Sequence, residues 1–195
     1  MNVSDLRHYV RCYDGDLEPA FCEQLVAAFH ASSGWHTRNG AGARAGLENS
    51  AWTELNVSKL ADPAFKGFFI QRIQQALVRY NRDIGLSAEV PWRPRLADLR
   101  IKQYRAQAGD AFQPHFDACD EQTGRYLMFL WYLNDVAEGG QTRFVDLDMD
   151  ITPRAGRLLM FPPYWMYMHT ALPPRSGDKY IISTYLEFSA RLASP

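Results

Sequence analysis

The sequence has little cysteine, no long apolar run and almost no net charge. Its three cysteines, Cys12, Cys22 and Cys119, are an odd number without C-x-x-C spacing, which argues against a disulfide framework and a cysteine zinc site. The longest apolar run, Tyr126 to Leu133, is far shorter than the roughly 20 residues of a membrane helix. With 21 basic and 22 acidic residues the net charge is -1, too small to attract nucleic acid or anionic lipid. We therefore expect neither as a partner.

The amino terminus also lacks the apolar stretch of a secretory signal, because charges are scattered through residues 1–16. We expect a cytoplasmic protein with free thiols. The 195 residues are 47% hydrophobic and 13% aromatic, enough to bury a core without disulfide or metal staples. Since no repeat or linker is evident, we expect one domain over 1–195, with helical support and a lid loop in 1–95 and a β core in 96–190.

Two amphipathic helices are predicted in the first half of the chain. One follows a capping candidate at Asp16 and has a proline in its first turn. The other follows the cap candidate Asp62 and ends at Gly85. Between them, residues 32–50 are rich in Gly, Ala, Ser and Asn, which predicts a long mobile loop. Loops of that length are uncommon unless they bind something.

After Pro94 the pattern changes to short apolar or alternating segments separated by turn residues. Such segments at regular spacing are typical of a β-sandwich or barrel. The predicted strands are 96–105, 111–117, 126–134, 142–147, 157–161, 165–171 and 180–188.

Two side chains that can bind a metal alternate on one predicted strand. His115 and Asp117 flank Phe116, so they project to the same face. His169, on another predicted strand, would complete two imidazoles and one carboxylate, the ligand set of non-haem Fe(II) oxygenases. The H-x-D pair alone is a weak signal, because it also occurs by chance. Lys179 strengthens it, since apolar flanks place this cation where it needs an anionic partner.

These residues lie in segments that resemble the Fe(II)- and 2-oxoglutarate-dependent dioxygenases, and among them the prolyl 4-hydroxylase-like branch. The resemblance covers about 99–186, in the blocks IKQYRAQAGDAFQPHFD, GRYLMFLWYLNDVAEGGQTRF, ITPRAGRLLMFPP and HTALPPRSGDKYIISTYLEF. It implies a mainly β fold, with a double-stranded β-helix (jelly-roll, cupin-like) core packed by the N-terminal α-helices. It also implies an enzyme that uses Fe(II), 2-oxoglutarate and O2 to hydroxylate an unactivated C–H bond, releasing succinate and CO2.

The resemblance further implies the roles of individual residues. His115, Asp117 and His169 would be the iron ligands and thus the catalytic residues. Lys179 would hold the distal carboxylate of 2-oxoglutarate, and Tyr104 would hydrogen-bond to that same carboxylate.

Three further residues match positions of the cosubstrate pocket less closely: Tyr132, Thr142 and Ser183. A core aromatic in an apolar run explains Tyr132 equally well. Two positions depart from the family pattern, because Tyr185 stands where tryptophan is frequent and Ala171 where glycine is frequent. Neither is a ligand, so these departures concern the substrate rather than the chemistry.

Candidate substrate contacts lie on the strand that precedes H-x-D. Arg100 and Lys102 alternate onto the face of Tyr104 and would meet a carboxylate on the substrate. The alternative is that Asp98, Glu138 or another acid neutralises them at the sheet edge.

Other candidate contacts depend on the 32–50 loop and on the strand of His169. The loop is a substrate lid or a solvated connector, and its side chains of interest are Trp35, His36, Arg38 and Arg44. Trp165 and Tyr167 would line the substrate side of their strand or simply pack. Cys119 would alternate onto the ligand side as a small filler that is sensitive to oxidation.

The substrate class remains open at this level. Hydroxylation of a prolyl or other side chain in a peptide or protein needs an open groove, whereas a free amino acid or small metabolite needs a closed pocket. A non-catalytic jelly-roll binding module is a third possibility, although the ligand set and the lysine are complete. Zinc hydrolysis is disfavoured because neither H-E-x-x-H nor a candidate base is present. The sequence does not indicate an oligomeric state.

Overall fold

The computed structural model describes residues 5–43, 45–92 and 95–188, which form mainly antiparallel β structure with two α-helices. Arg44, of the predicted lid, lies outside the described residues. Helix α1 spans Pro19–Ala31 and α2 spans Pro63–Ile84. The strands are β1 Arg11–Tyr13, β2 Thr37–Gly40, β3 Ala51–Asn56, β4 Arg100–Tyr104, β5 Phe112–His115, β6 Arg125–Tyr132, β7 Thr142–Phe144, β8 Met149–Ile151, β9 Leu158–Phe161, β10 His169–Ala171 and β11 Lys179–Glu187.

The strands form two antiparallel sheets that pack face to face as a jelly roll. The larger sheet has the order β1-β9-β6-β11-β4-β3-β2, and the smaller has the order β5-β10-β7-β8. One apolar cluster lies between the sheets and includes Tyr104 and Ile181 from the larger sheet with Phe144 from the smaller. The predicted mainly β jelly-roll core with supporting helices is confirmed.

Both helices cover the outer face of the larger sheet. A second buried cluster joins the apolar stripes of the helices to that face, and includes Leu25, Phe29, Phe69, Ile73, Trp131 and Ile182. Helix α2 begins as predicted, because the Asp62 carboxylate accepts a hydrogen bond from the Phe65 amide at 2.8 Å. It ends at Gly85, whose φ of 60° places it in the left-handed region.

The predicted cap of α1 is wrong. Glu18 occupies the N-cap position, while Asp16 is buried and accepts a hydrogen bond from Trp131 Nε1 at 2.7 Å. Arg79 of α2 forms an ion pair with the same carboxylate. Asp16 therefore ties the segment before α1 to β6 and α2, a long-range role that local sequence does not reveal.

The segment 32–50 is only partly a loop. Its residues Thr37–Gly40 form β2, which pairs with β3 at the edge of the larger sheet. Neither strand is predicted, because β2 (TRNG) has no apolar residue and β3 has no clear alternation. Gly40 has a φ of 101°, and a Cβ there would collide with the Ser50 carbonyl, so the hairpin needs glycine at this position.

Several strands of the second half are shorter than predicted. The 111–117 segment forms only β5, and Asp117 follows its end, where its amide donates to Pro163 O at 3.0 Å. The 142–147 segment is divided between β7 and a 3-10 turn, and β8 is missed altogether.

The 165–171 segment is likewise divided. Trp165–Tyr167 form a 3-10 turn, so the prediction that Trp165 and Tyr167 flank His169 on its strand is wrong.

Over the described ranges, neither helix combines the length and apolarity that crossing a membrane requires.

Candidate active site

Two histidines and an aspartate converge between the sheets. His115, the last residue of β5, pairs with His169, the first residue of β10, and the chain turns after β5 to bring Asp117 beside them. His115 Nε2 lies 3.6 Å from Asp117 Oδ1, and His169 Nε2 lies 3.5 Å from Asp117 Oδ2. Ligand atoms of all three lie within 4.8 Å of one another. The structure thus brings the three predicted ligands together.

Backbone carbonyls orient both imidazoles. His115 Nδ1 lies 2.8 Å from Gln113 O, and His169 Nδ1 lies 3.0 Å from Tyr167 O. Because a carbonyl only accepts, each Nδ1 carries the hydrogen, and Nε2 is the ring nitrogen that is turned towards Asp117. This is the orientation in which a metal-binding histidine is held by its other ring nitrogen.

The donor set fits a divalent metal ion. Asp117 Oδ2 is buried without a hydrogen-bond partner, an arrangement that is costly unless a cation supplies the missing contact. Burial and the neighbouring His115 lower the pKa of His169 to about 4, so His169 is in the neutral, ligating form at pH 7. Burial opposes ionisation of Asp117, but the adjacent His169 and His115 hold its pKa below the usual range.

Lys179 is a buried cation without an anionic partner. Its side chain is 1% exposed, and Nζ donates to Gly140 O at 2.9 Å and lies 4.5 Å from the centroid of the Tyr104 ring. Within the described ranges no carboxylate forms an ion pair with it. Burial, reinforced by Lys102, lowers the pKa of Lys179 to about 7. A carboxylate of a bound molecule would supply the absent partner.

The weaker cosubstrate candidates occupy different positions. Thr142 lines the cavity that also contains Lys179 and the cluster of His115, Asp117 and His169, and its Oγ1 accepts a hydrogen bond from Tyr132 at 2.7 Å. Tyr132 is fully buried behind Thr142 and supports it. Ser183 is buried on β11, but neither it nor Tyr132 belongs to the cavity lining among the described residues.

Arg100 and Lys102, the two basic candidates of β4, lie in different surroundings. Arg100 forms an ion pair with Glu54 of the neighbouring strand β3 and lies 3.8 Å from Asp98, so acids neutralise it as the alternative expects, although β4 is an interior strand and not the sheet edge. Lys102 lines the cavity instead. The alternation of β4 predicts a shared face for both residues, but only Lys102 is placed to meet a substrate.

The aromatic substrate candidates do not line the cavity. Trp35 is 69% exposed and Trp165 is 68% exposed. His36 stacks on Phe29 at 4.0 Å, and Arg38 donates to Asp110 at 2.7 Å. These contacts fix the start of the 32–50 segment against the protein, and its function as a lid stays a prediction.

The cysteines are free thiols, as predicted. Cys119 lies near the site in sequence, but its Sγ contacts Phe116 O at 3.7 Å and the residue does not line the cavity.

Sequence patterns miss Phe112 and Trp52, and they mark Tyr185 only as a departure that concerns the substrate. Phe112 stacks on the His115 ring at 3.6 Å, and Trp52 stacks on Phe112 at 4.5 Å. Simple alternation would place Phe112 and His115, which are three residues apart, on opposite faces, but a register shift between β5 and β10 brings them to the same side. The Tyr185 hydroxyl donates to Asp117 Oδ1 at 2.9 Å. The tyrosine that stands where tryptophan is frequent in the family therefore contacts a proposed metal ligand.

A jelly roll with two imidazoles, one carboxylate and a buried lysine in its cavity defines the class of non-haem Fe(II) oxygenases. Residues 99–187 match the family model of the 2OG-Fe(II) oxygenase superfamily. The matched segment contains His115, Asp117, His169 and Lys179, and it supports an oxygenase that uses Fe(II), 2-oxoglutarate and O2. No curated protein sequence gives a significant match.

Solved prolyl hydroxylases have the same fold. A viral collagen prolyl hydroxylase from Paramecium bursaria Chlorella virus-1, in complex with 2OG, is 20% identical with a TM-score of 0.60, over 91% of this chain and 94% of that one. A Pseudomonas putida prolyl-4-hydroxylase is 18% identical with a TM-score of 0.68, over 94% of each chain.

A third similar structure is a prolyl hydroxylase from Trichoplax adhaerens in complex with a peptide fragment of the hypoxia inducible factor oxygen degradation domain. It is 18% identical with a TM-score of 0.72, over 96% of this chain and 88% of that one. At these identities the likeness concerns the fold, which is that of the prolyl 4-hydroxylase-like branch.

Proposed function

We propose that the enzyme hydroxylates a prolyl or other side chain of a peptide or protein, with His115, Asp117 and His169 holding Fe(II). Lys179 binds the distal carboxylate of 2-oxoglutarate, assisted by Tyr104 and by Thr142. The observation that carries this assignment is the buried Asp117 carboxylate, whose Oδ1 lies near His115 Nε2 and whose Oδ2 lies near His169 Nε2 without a hydrogen-bond partner. Lys179, which has no carboxylate partner among the described residues, lines the same cavity.

The bound iron, 2-oxoglutarate and O2 supply the oxidation of an unactivated C–H bond, with release of succinate and CO2. The protein's residues contribute placement. Gln113 O and Tyr167 O hold the imidazoles in the ligating tautomer, and the apolar cluster around the cavity keeps water from the reacting groups. Lys179 sets the orientation of the cosubstrate through a charge-assisted hydrogen bond.

Similarity in fold supports a peptide substrate. One similar structure is a collagen prolyl hydroxylase, and another holds a peptide fragment. We further infer a single domain over 1–195, because helices of the first half and strands of the second share one buried cluster. We also propose a cytoplasmic location.

The substrate assignment is tested with proline-containing peptides. The Fe(II)-loaded enzyme is incubated with 2-oxoglutarate, O2 and a peptide panel that includes (Pro-Pro-Gly) repeats, with Asp117→Ala as control. The expected result is peptide that is heavier by one oxygen atom, formed together with an equal amount of succinate. If the enzyme releases succinate and oxidises only free amino acids, the peptide assignment is wrong while the reaction class stands.

A further inference from the structure

The cavity contains a second lysine, Lys102, which takes no part in the proposed binding of 2-oxoglutarate. Lys102 and Tyr104 lie on the same face of β4, and Tyr104 pairs with Lys179 across the sheet while Lys102 pairs with Ile181. Two residues along a strand span about 7 Å, so Lys102 is displaced by that distance from the position where 2-oxoglutarate is held. Both lysines line one cavity.

Lys102 has no direct anionic partner. Among residues 5–43, 45–92 and 95–188, its ammonium group makes no hydrogen bond and no ion pair within 4.0 Å. The carboxylate that acts on it most strongly is Glu54, but Glu54 already pairs with Arg100 and accepts from Trp52 Nε1 at 3.2 Å. Burial lowers the pKa of Lys102, which is the expected cost of an under-partnered cation.

The charges of the loaded site balance without Lys102. On the proposed function, Asp117, a divalent iron, the dianion of 2-oxoglutarate and Lys179 together carry no net charge. Glu54 pairs directly with Arg100, which also lies 3.8 Å from Asp98, whereas Lys102 makes no direct ion pair among the described residues. The ammonium group of Lys102 is therefore available to a third molecule in the cavity.

A stack of aromatic rings lies between the Lys102 ammonium group and His115, a proposed metal ligand. The Phe112 ring lies 3.6 Å from the His115 ring on one side and 4.5 Å from the Trp52 ring on the other. Lys102 Nζ lies 5.7 Å from the Trp52 centroid and 5.9 Å from the Phe112 centroid. Phe112 thus neighbours both Lys102 Nζ and the His115 ring, so a carboxylate bound by Lys102 is held near a proposed iron ligand.

The geometry points to Lys102 as a binding site for a carboxylate of the substrate, so that the enzyme acts on a molecule or peptide carrying an anionic group near the C–H bond that is oxidised. This inference rests on the proposed function and names the chemical class of its substrate.

The test uses acetate as the anionic probe and acetamide as its neutral counterpart. The enzyme is loaded with Mn(II), which relaxes nearby protons, and with saturating 2-oxoglutarate, which occupies Lys179. The methyl-proton relaxation of each probe is then measured with wild type, Lys102→Met and Lys102→Arg. We expect acetate to be relaxed several-fold more than acetamide by wild type and by Lys102→Arg, and equally to acetamide by Lys102→Met.

Equal relaxation of the two probes by wild type, or an acetate effect that persists in Lys102→Met, overturns the inference, because acetate then binds elsewhere or not at all. Equilibrium dialysis of labelled 2-oxoglutarate in the same samples separates the two levels of failure. Retained 2-oxoglutarate without the acetate effect contradicts only the role of Lys102. Absence of 2-oxoglutarate binding contradicts the proposed function together with it.

Discussion

Both faces of the larger sheet carry buried apolar side chains, but the face towards the smaller sheet also carries the ionisable groups of the cavity. Strand β11 shows this within one segment, because Tyr180, Ile182 and Leu186 belong to the cluster beneath the helices. Lys179 and Tyr185, which alternate with them, face the smaller sheet and line the cavity.

The helix-covered face gains stability from apolar burial, whereas the cavity face holds buried charges that cost stability when no ligand is present. A substitution under the helices should therefore change folding, and one in the cavity should change chemistry.

The largest effect is expected when a proposed metal ligand is removed. Asp117→Ala should abolish 2-oxoglutarate turnover, since it removes the carboxylate between the two imidazoles. Succinate formation is the measurement, with circular dichroism to verify the fold. Substantial residual turnover would exclude Asp117 from the site.

On the helix-covered face, Phe69→Ala should lower the free energy of unfolding by about 3–5 kcal/mol, the usual cost of a truncated core aromatic. Phe69 is fully buried, and its ring lies 5.3 Å from that of Trp131. Denaturant unfolding measures the loss. The folded variant should keep the wild-type affinity for 2-oxoglutarate, and a weakened affinity would show that the two faces are coupled.

Replacing the buried cation Lys179 should raise stability and weaken the binding of 2-oxoglutarate, the reverse of the result expected for Phe69→Ala. Lys179→Met should raise the free energy of unfolding of the ligand-free protein by about 1–4 kcal/mol, because an unpaired buried charge gives way to an apolar chain of similar length. The same variant should lose 2-oxoglutarate binding. Thermal unfolding and equilibrium dialysis test both parts, and a less stable variant would contradict the assigned cost.

The affinity for 2-oxoglutarate should fall as the pH rises above 7. The pKa of Lys179 is about 7 in the ligand-free cavity, mainly because of burial, and only the ammonium form binds a carboxylate strongly. Above that pH each unit should weaken binding up to about tenfold, whereas below it Lys179 contributes little change. In Lys179→Arg the guanidinium stays charged, so a flat profile is expected there. A flat wild-type profile would argue against the carboxylate role.

The smallest effect is expected at Tyr185, which touches a proposed ligand and not the metal. Tyr185→Phe removes the hydrogen bond to Asp117 Oδ1 and should weaken metal affinity by about tenfold, with the fold retained. Metal titration is the measurement, and Met128→Leu, at another residue of the cavity wall, is the matched control. Equal affinity in Tyr185→Phe and wild type would show that the hydroxyl does not position Asp117.

The parts of the site that sequence patterns predict are those marked by residue type. His115, Asp117, His169 and Lys179 are residues whose chemistry is unusual in apolar strands, and the four-block resemblance supplies their spacing. Residues defined by a distant partner could not be found this way. Asp16 looks like a cap but binds Trp131 and Arg79, more than 60 positions away.

The same limit applies to the edge of the larger sheet. Strands β2 and β3 have no apolar alternation from which they could be predicted. The ion pair of Glu54, on β3, with Arg100 could therefore not be predicted either. The stack of Phe112 on His115 depends on a register shift that no local pattern indicates.

The most direct measurement is the absorption spectrum of the protein after Fe(II) and 2-oxoglutarate are added without oxygen. A visible charge-transfer band arises when 2-oxoglutarate chelates protein-bound iron. If the catalytic centre lies on the cavity face, this band should appear in wild type and be absent in Asp117→Ala. In Lys179→Met, a far higher concentration of 2-oxoglutarate should be required to produce the band. Iron binding without the band, or a band unaffected by Asp117→Ala, would contradict a catalytic centre on this face of the sheet.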